Sequence, residues 1–407
     1  MKEFGIYIHI PFCVKKCYYC DFVSYANKEE LIKDYVQALK KEIKIIGKER
    51  NFPKITTIYI GGGTPSFIDS KYIIDIIRTI KEVYDIKKDV EITIELNPGT
   101  ITKQKLEDYI EVGINRLSIG LQSTDNNLLK QIGRIHTYEQ FLENYKLARK
   151  IGFKNINVDL MLALPNQTIE ILEDSINKLI KLQPEHISVY SLIIEENTKL
   201  YDLIENRKME FVEEDIEREM YWHVKTKLEK DGYEQYEISN FAKIEYESKH
   251  NMNCWNQEEY IGFGVAAHSY VGNIRYSNTC NLRKYIKVLS KTSNIKEYTK
   301  YLSNLLKIKE NVDIAKLNCD DTNTLATIHE IQNLFDKEKE YMMLGLRKIE
   351  GVSIQKFKNK FTENPLYLFR KELNKLVQEK LIQVDGDIIR LTNKGLDLAN
   401  IVWEEFV

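Results

Sequence analysis

The chain has 407 residues, with 59 Lys and Arg against 61 Asp and Glu and a formal charge of −2. That length accommodates two domains and a large core. The balanced charge gives no reason to expect nucleic acid as a partner, and no apolar run approaches the roughly 20 residues of a membrane-spanning helix. With nothing like a secretory leader, the expected compartment is the cytoplasm, where thiols stay reduced.

Short β-rich runs alternate with amphipathic helical runs over the first 190 residues. Phe4–Ile10 reads as a strand and a cysteine loop follows it. Helix Lys28–Lys48 leads to strand Ile55–Ile60, the turn Gly61-Gly62-Gly63-Thr64-Pro65 and helix Ser70–Tyr84. Strand Glu91–Leu96 is broken by Asn97-Pro98-Gly99; helix Thr102–Val112, strand Arg116–Gly120, and helices Asp125–Ile132 and Tyr138–Ile151 come next. Strand Ile156–Met161, helix Ile169–Leu182 and strand His186–Ser191 complete six β-α alternations. Such a pattern predicts an α/β fold with a parallel, right-handed, curved or barrel-like sheet whose ligands gather at the carboxyl ends of the strands. Residues 1–290 are expected to form this domain, with helix Glu213–Lys230 and an added strand at Tyr233–Phe241 as its extension. Residues 291–407 are expected to form a second domain, richer in Lys/Glu helices from about residue 295. Its predicted helices are Asp336–Ile349, Ser353–Phe361, Leu366–Glu379 and Asn393–Phe406, with Asp385-Gly386 marking a hairpin. This is a winged-helix-like pattern, yet 336–407 carries 13 Lys and Arg against 12 Asp and Glu. That is a poor footprint for DNA and favours a protein-contact or substrate-covering role.

Cys13, Cys17 and Cys20 form C-x3-C-x2-C just after the first strand. Three thiolates can hold three irons of a cubane cluster and leave the fourth open to a small molecule. Disulfides suit neither the crowding nor the compartment, and zinc wants four donors, whereas Cys254, Cys280 and Cys319 are scattered singly. The glycine triplet offers bare backbone to a ligand or simply a tight turn. Glu95, Gln122, Arg134 and Asp159 share strand-end positions; each alone has a bland reading as a surface pair or cap. Two of the seven histidines, His250 and His268, lie in a Trp-, Cys- and Gly-rich stretch. They are haem-ligand types, or hydrogen-bonded residues of a packed turn.

Tyr7–Phe22, Gly61–Pro65, Ile94–Pro98, Ser118–Ser123, Asn157–Leu160 with Leu164-Pro165, and Ile187–Leu192 together resemble the radical S-adenosylmethionine (SAM) superfamily. More narrowly, they resemble the branch that holds oxygen-independent coproporphyrinogen III oxidase and the HemW-type haem chaperones. The resemblance covers nearly the whole chain. It implies a partial (β/α)6 barrel, a 4Fe-4S cluster on Cys13, Cys17 and Cys20, and SAM chelating the open iron. Gly62, Gly63 and Thr64 would contact the methionine end, Tyr7 would lie against SAM, and Glu95 would bind its polar groups. Tyr19, Gln122, Arg134, Asp159 and Ile193 match positions that hold a second SAM in the oxidases. Those oxidases carry a further Cys where this chain has Phe22, and a longer segment ahead of the cluster than the 12 residues before Cys13. Both departures resemble the chaperones. Their His-Asn-x-x-Tyr-Trp signature reads here as His250-Asn251-Met252-Asn253-Cys254-Trp255, with Cys254 in place of Tyr. The resemblance thus implies a haem chaperone with His250 as a haem contact and respiratory haem proteins as recipients. Peripheral membrane contact and a homodimer are compatible with it. The alternatives are the oxidase itself, or a radical SAM enzyme acting on haem.

Overall fold

The computed structural model describes residues 3–49, 52–291 and 325–407; Cys319 and the change of character near residue 295 lie outside the described residues. Six strands run parallel in chain order: β1 (Phe4–Ile10), β2 (Ile55–Gly62), β3 (Ile86–Leu96), β4 (Arg116–Gln122), β5 (Ile156–Leu162) and β6 (His186–Ser191). Helices α1 (Ile32–Glu49), α2 (Ser70–Val83), α3 (Lys103–Val112), α4 (Asn126–Gln131), α5 (Tyr138–Ile151) and α6 (Ile169–Leu182) make the crossovers. This is the expected partial (β/α)6 barrel.

The sequence of β1 shows why. Phe4, Ile6, Ile8 and Ile10 are fully buried in one core with Val36, Leu39 and Ile43 of α1. Each such side chain contributes about 1.5–3 kcal/mol. Gly5, Tyr7 and His9 alternate onto the other face and line the lumen. Helix starts are set by side-chain caps: Asp69 accepts from Lys71 N–H, and Thr137 with Gln140 forms a capping box.

The sheet grows to twelve strands by additions at both edges. β7 (Glu234–Glu237) and β8 (Asn240–Ala242) form a hairpin that joins β6 antiparallel. The single strand expected over Tyr233–Phe241 is therefore two. Glu237 accepts from Ser239 N–H at 3.1 Å and from the Asn240 side-chain amide, which closes the turn. On the other edge, β9 (Glu259–Phe263) pairs parallel with β1. β10 (His268–Val271), β11 (Ile274–Asn278) and β12 (Ala326–Ile331) follow antiparallel. β12 lies beyond residue 291 in sequence and inside the first sheet in space.

The C-terminal part has its own core, including Met342, Phe357, Leu376, Ile389 and Val402. Helices Leu334–Gly345, Ile354–Phe361 and Arg370–Gln378 pack with the strands Val352–Ser353, Ile382–Asp385 and Ile388–Leu391, and Gly386 turns the expected hairpin at φ +57°. The helix expected over Leu366–Glu379 breaks at Phe369, whose ring is turned edge-on against Phe357 and Phe406 in that core. The helix expected over Asn393–Phe406 breaks at Leu398. Side-chain contacts of several kinds bind this unit to the barrel. Arg275 pairs with Glu340 at 2.6 Å, Trp222 Nε1 donates to Asp397 at 2.8 Å, and the Arg347 guanidinium lies 4.5 Å from the rings of both Trp255 and Trp403.

Candidate cluster and cofactor site

The cysteine loop is pinned at both ends, because Phe12–Cys13 pairs with Tyr25–Ala26. In between, Tyr18 N–H donates to Ile132 O at 3.0 Å and Leu200 N–H donates to Tyr18 O at 2.8 Å. His9 Nε2 lies 2.9 Å from Val23 O, and its Nδ1 lies 3.0 Å from the Tyr7 hydroxyl. A carbonyl only accepts, so Nε2 carries the proton and Nδ1 accepts from Tyr7. Tyr35 donates to His9 O at 2.6 Å and fixes that segment from below.

The three thiols sit in different fields. Thr64 Oγ1 donates to Cys13 Sγ at 3.4 Å, and Arg134 Nη1 to Cys17 Sγ at 3.6 Å. Burial, with Cys17 as neighbour, pushes the Cys20 thiol up to about 11; burial also raises Cys13. Among the described residues no three His, Cys, Asp or Glu groups converge on one metal ion. A mononuclear site needs that convergence, whereas in a cubane each thiolate meets its own iron.

The glycine triplet meets the loop from β2. Gly63 N–H donates to Ile10 O and Thr64 N–H to Phe12 O, both at 2.9 Å. A Cβ at Gly63 would lie 3.0 Å from Cys13 Sγ, so only glycine lets the two segments touch. Gly62 has φ +113°, and a Cβ there would lie 2.6 Å from the His9 ring. Gly62 N–H donates to Glu95 Oε2 at 3.1 Å, and Tyr59 OH donates to Glu95 Oε1 at 2.9 Å. Burial, reinforced by Asp159, lifts the Glu95 carboxyl to about 7.

On the opposite wall the register shifts through a bulge between Gly120 and Gln122, and Gln122, paired with Leu160, takes φ +72°. Arg134 reaches across from the loop after α4, donating to Gly120 O and, at 3.0 Å, to Asn97 Oδ1. Its Nε is buried without a partner. Tyr19 packs with Leu128, Ile132, Met161 and Leu164 beside it.

Cys13, Cys17, Cys20, Tyr7, Tyr19, Gly62, Gly63, Thr64, Glu95, Gln122 and Arg134 therefore surround one mouth of the barrel. Asp159 lies lower, mid-strand in β5, held by Asn157 Nδ2 at 2.7 Å and Ser118 Oγ at 3.4 Å. Ile193 is 66% exposed beyond the end of β6. His250 stands apart, at the opposite end of the strands. It is buried, with Nδ1 2.8 Å from Thr57 Oγ1 and its ring stacked on Tyr59 at 5.2 Å. Burial first and Arg116 second push its imidazole down to about 4, so it is neutral. The Cys254 thiol is raised to about 11 by burial and forms no disulfide among the described residues.

Sequence reading missed His9, Tyr59 and Asn97, which hold the loop, Glu95 and Arg134 in turn. The signal was available: His9 and Tyr59 share the lumen face of their strands with Tyr7 and Gly61. The donor set fits a thiolate-held cluster. One thiol takes a hydroxyl donor, a second takes a guanidinium, and an orphaned guanidinium nitrogen faces the same mouth.

The fold is that of a radical SAM protein. The radical SAM superfamily profile matches residues 7–179, and the HemN C-terminal domain profile matches residues 336–398. Membership of that superfamily implies a 4Fe-4S cluster and SAM. The chain is 36% identical over 402 residues to the heme chaperone HemW of Bacillus subtilis, covering 98% of each chain. It is 35% identical to that of Lactococcus lactis, covering 100% of this chain and 98% of the relative. The chain belongs to the HemW family. Coproporphyrinogen III oxidase (HemN) from Escherichia coli superposes with a TM-score of 0.81 over 100% of this chain and 90% of that one, at 21% identity. That likeness shows the fold.

Proposed function

We propose that this protein is a haem chaperone that carries a 4Fe-4S cluster and SAM, takes up haem, and delivers it to respiratory haem proteins. The carrying observation is the end-to-end similarity to HemW proteins, 98% of both chains at 36% identity in the Bacillus case. When bound, the cluster supplies an open iron and an electron. The residues do the rest: Cys13, Cys17 and Cys20 would hold it. Gly62, Gly63 and Thr64 would offer backbone to SAM, Tyr7 would lie against it, and Glu95 would accept from its polar groups. Tyr19, Gln122, Arg134, Asp159 and Ile193 would line the neighbouring subsite.

His250 is the proposed haem contact. In the neutral tautomer whose Nδ1–H donates a hydrogen bond to Thr57 Oγ1, Nε2 keeps its lone pair, as ligation requires. The cytoplasm, with no helix of the described residues able to cross a membrane, peripheral membrane contact and a homodimer belong to the same reading.

The test is anaerobic reconstitution with iron and sulfide, followed by parallel haem-binding and porphyrinogen assays. The proposal expects a Soret band that weakens in His250→Ala, and no conversion of coproporphyrinogen. Turnover to protoporphyrinogen would overturn it in favour of the oxidase.

A further inference from the structure

Arg116 opens β4 with its side chain on the lumen face, in register with Thr93, which is itself in register with Tyr59 and through it Tyr7. It is 2% exposed, and its Nε is buried without a hydrogen-bond partner. Arginine stays charged, and burying a charge without a partner is costly. Asp159 feels this charge but is held by Asn157 and Ser118 instead. Glu91 spends both oxygens on the N–H groups of Lys249 and His250. The imidazoles within reach of Arg116, His186 and His250, are occupied by Asn157 with Tyr236, and by Thr57. Thr93 Oγ1, fully buried, also lacks a partner. Two unmet donors thus sit together on the floor of the barrel, roughly 20 Å along the strand from Gln122.

The surrounding charge indicates from which side a ligand comes. Below the floor, a cleft of about 570 Å³ carries six carboxylates (Glu3, Asp89, Glu234, Glu245, Glu247, Glu350) against Lys87 and Lys249. The mouth above carries more cations than anions: the Lys15 and Lys199 ammonium groups lie 5.3 and 3.8 Å from the Tyr18 ring and Arg134 lies inside, against Glu95. Between them, Tyr190 on the lumen wall is 40% exposed. An anion is drawn in through the mouth and repelled from below.

We infer that Arg116, with Thr93, is a carboxylate-binding subsite that takes a propionate of the tetrapyrrole inserted in the lumen. This rests on the haem-chaperone reading and locates the cargo within it. Guanidinium and carboxylate match as a two-pronged pair, and His250 stands on the same floor within range of the Arg116 charge.

The test titrates reconstituted protein with haem and with haem dimethyl ester, which lacks the carboxylates, and reads the Soret band. Wild type is expected to prefer the free acid by at least about tenfold, the worth of one charge-assisted hydrogen bond. Arg116→Gln is expected to bring the two ligands together, and Arg116→Lys to keep part of the preference. Circular dichroism of each variant reports folding, and the lysine variant serves if the glutamine one does not fold. Equal binding by wild type, or a preference untouched in both variants, overturns the subsite and leaves the haem reading intact. Uptake of neither ligand by wild type overturns both. SAM also carries a carboxylate, so the titration is repeated with SAM present. An unchanged ratio assigns the subsite to the tetrapyrrole, and a ratio that falls to one assigns it to SAM.

Discussion

Gly63→Ala tests how tightly β2 abuts the cysteine loop. Gly63 has ordinary backbone angles, so alanine there is a purely steric change. Its Cβ would lie 2.9 Å from Phe12 O, 3.0 Å from Cys13 Sγ and 3.1 Å from Ile10 O. Ordinary contact begins near 3.4 Å, so these atoms must retreat by roughly 0.3–0.5 Å. Both carbonyls are already held by the N–H groups of Gly63 and Thr64, which leaves the Cys13 side to give way. Overpacking of this kind costs about 1–3 kcal/mol. Laid on the Cys13 position, it lowers cluster retention by about 5- to 150-fold. Iron and sulfide per chain, and the rate at which visible absorbance decays under a chelator, measure this directly. Gly272→Ala is the control, because it meets nothing within 4 Å and any cost of its φ of +69° falls far from the loop. Gly63→Ala protein that keeps full iron and decays at the wild-type rate would refute the reasoning.

Cys17→Ser is expected to abolish cluster assembly while Cys254→Ser leaves iron content unchanged; metal analysis after reconstitution decides, and iron loss in the Cys254 variant would argue for a wider ligand set. Glu95 gives a pH signature. Its folded carboxyl titrates near 7 against 4.5 when unperturbed, so its stabilising effect is complete below about pH 4.5 and fades as pH rises through 7. Cluster-free Glu95→Gln should therefore gain about 2–3 kcal/mol on wild type between pH 5 and pH 8, read by urea unfolding; parallel curves would refute it. Glu340 shows the opposite sign. Burial alone would raise it, but Arg275 at 2.6 Å outweighs burial and lowers it. That stability is present above about pH 4.5 and lost as pH falls below. Glu340→Gln should cost about 2 kcal/mol at pH 7, with the difference narrowing in acid.

The barrel was legible because its strands are apolar runs of Ile, Val and Leu, and because the helices between them announce themselves with Thr102, Asp125, Thr137 and Thr168 as caps. The wing β9–β11 was not, because its strands are short and their lumen faces carry Gly262, His268 and Arg275, which read as a motif rather than as alternation. The helix over Leu366–Glu379 looked continuous because its periodicity continues through Phe369; only the tertiary demand for that ring in the core breaks it. The cysteines, the glycines and Glu95 were legible in type and spacing. Chain order alone does not tell that His250 closes the far end of the strands, since that follows from β9 returning parallel to β1. Arg116 escaped notice for a simpler reason: a charged residue at the start of a strand looks like an ordinary surface one until its surroundings are known.

The cation clasped by two indoles has a mechanical consequence. Trp255 ends the short helix that begins beside His250, and Trp403 belongs to the last helix of the chain. Arg347, between them, makes the terminal unit a strap on the underside of the barrel. Whatever grips that unit from outside therefore pulls on the segment that bears the His250 imidazole.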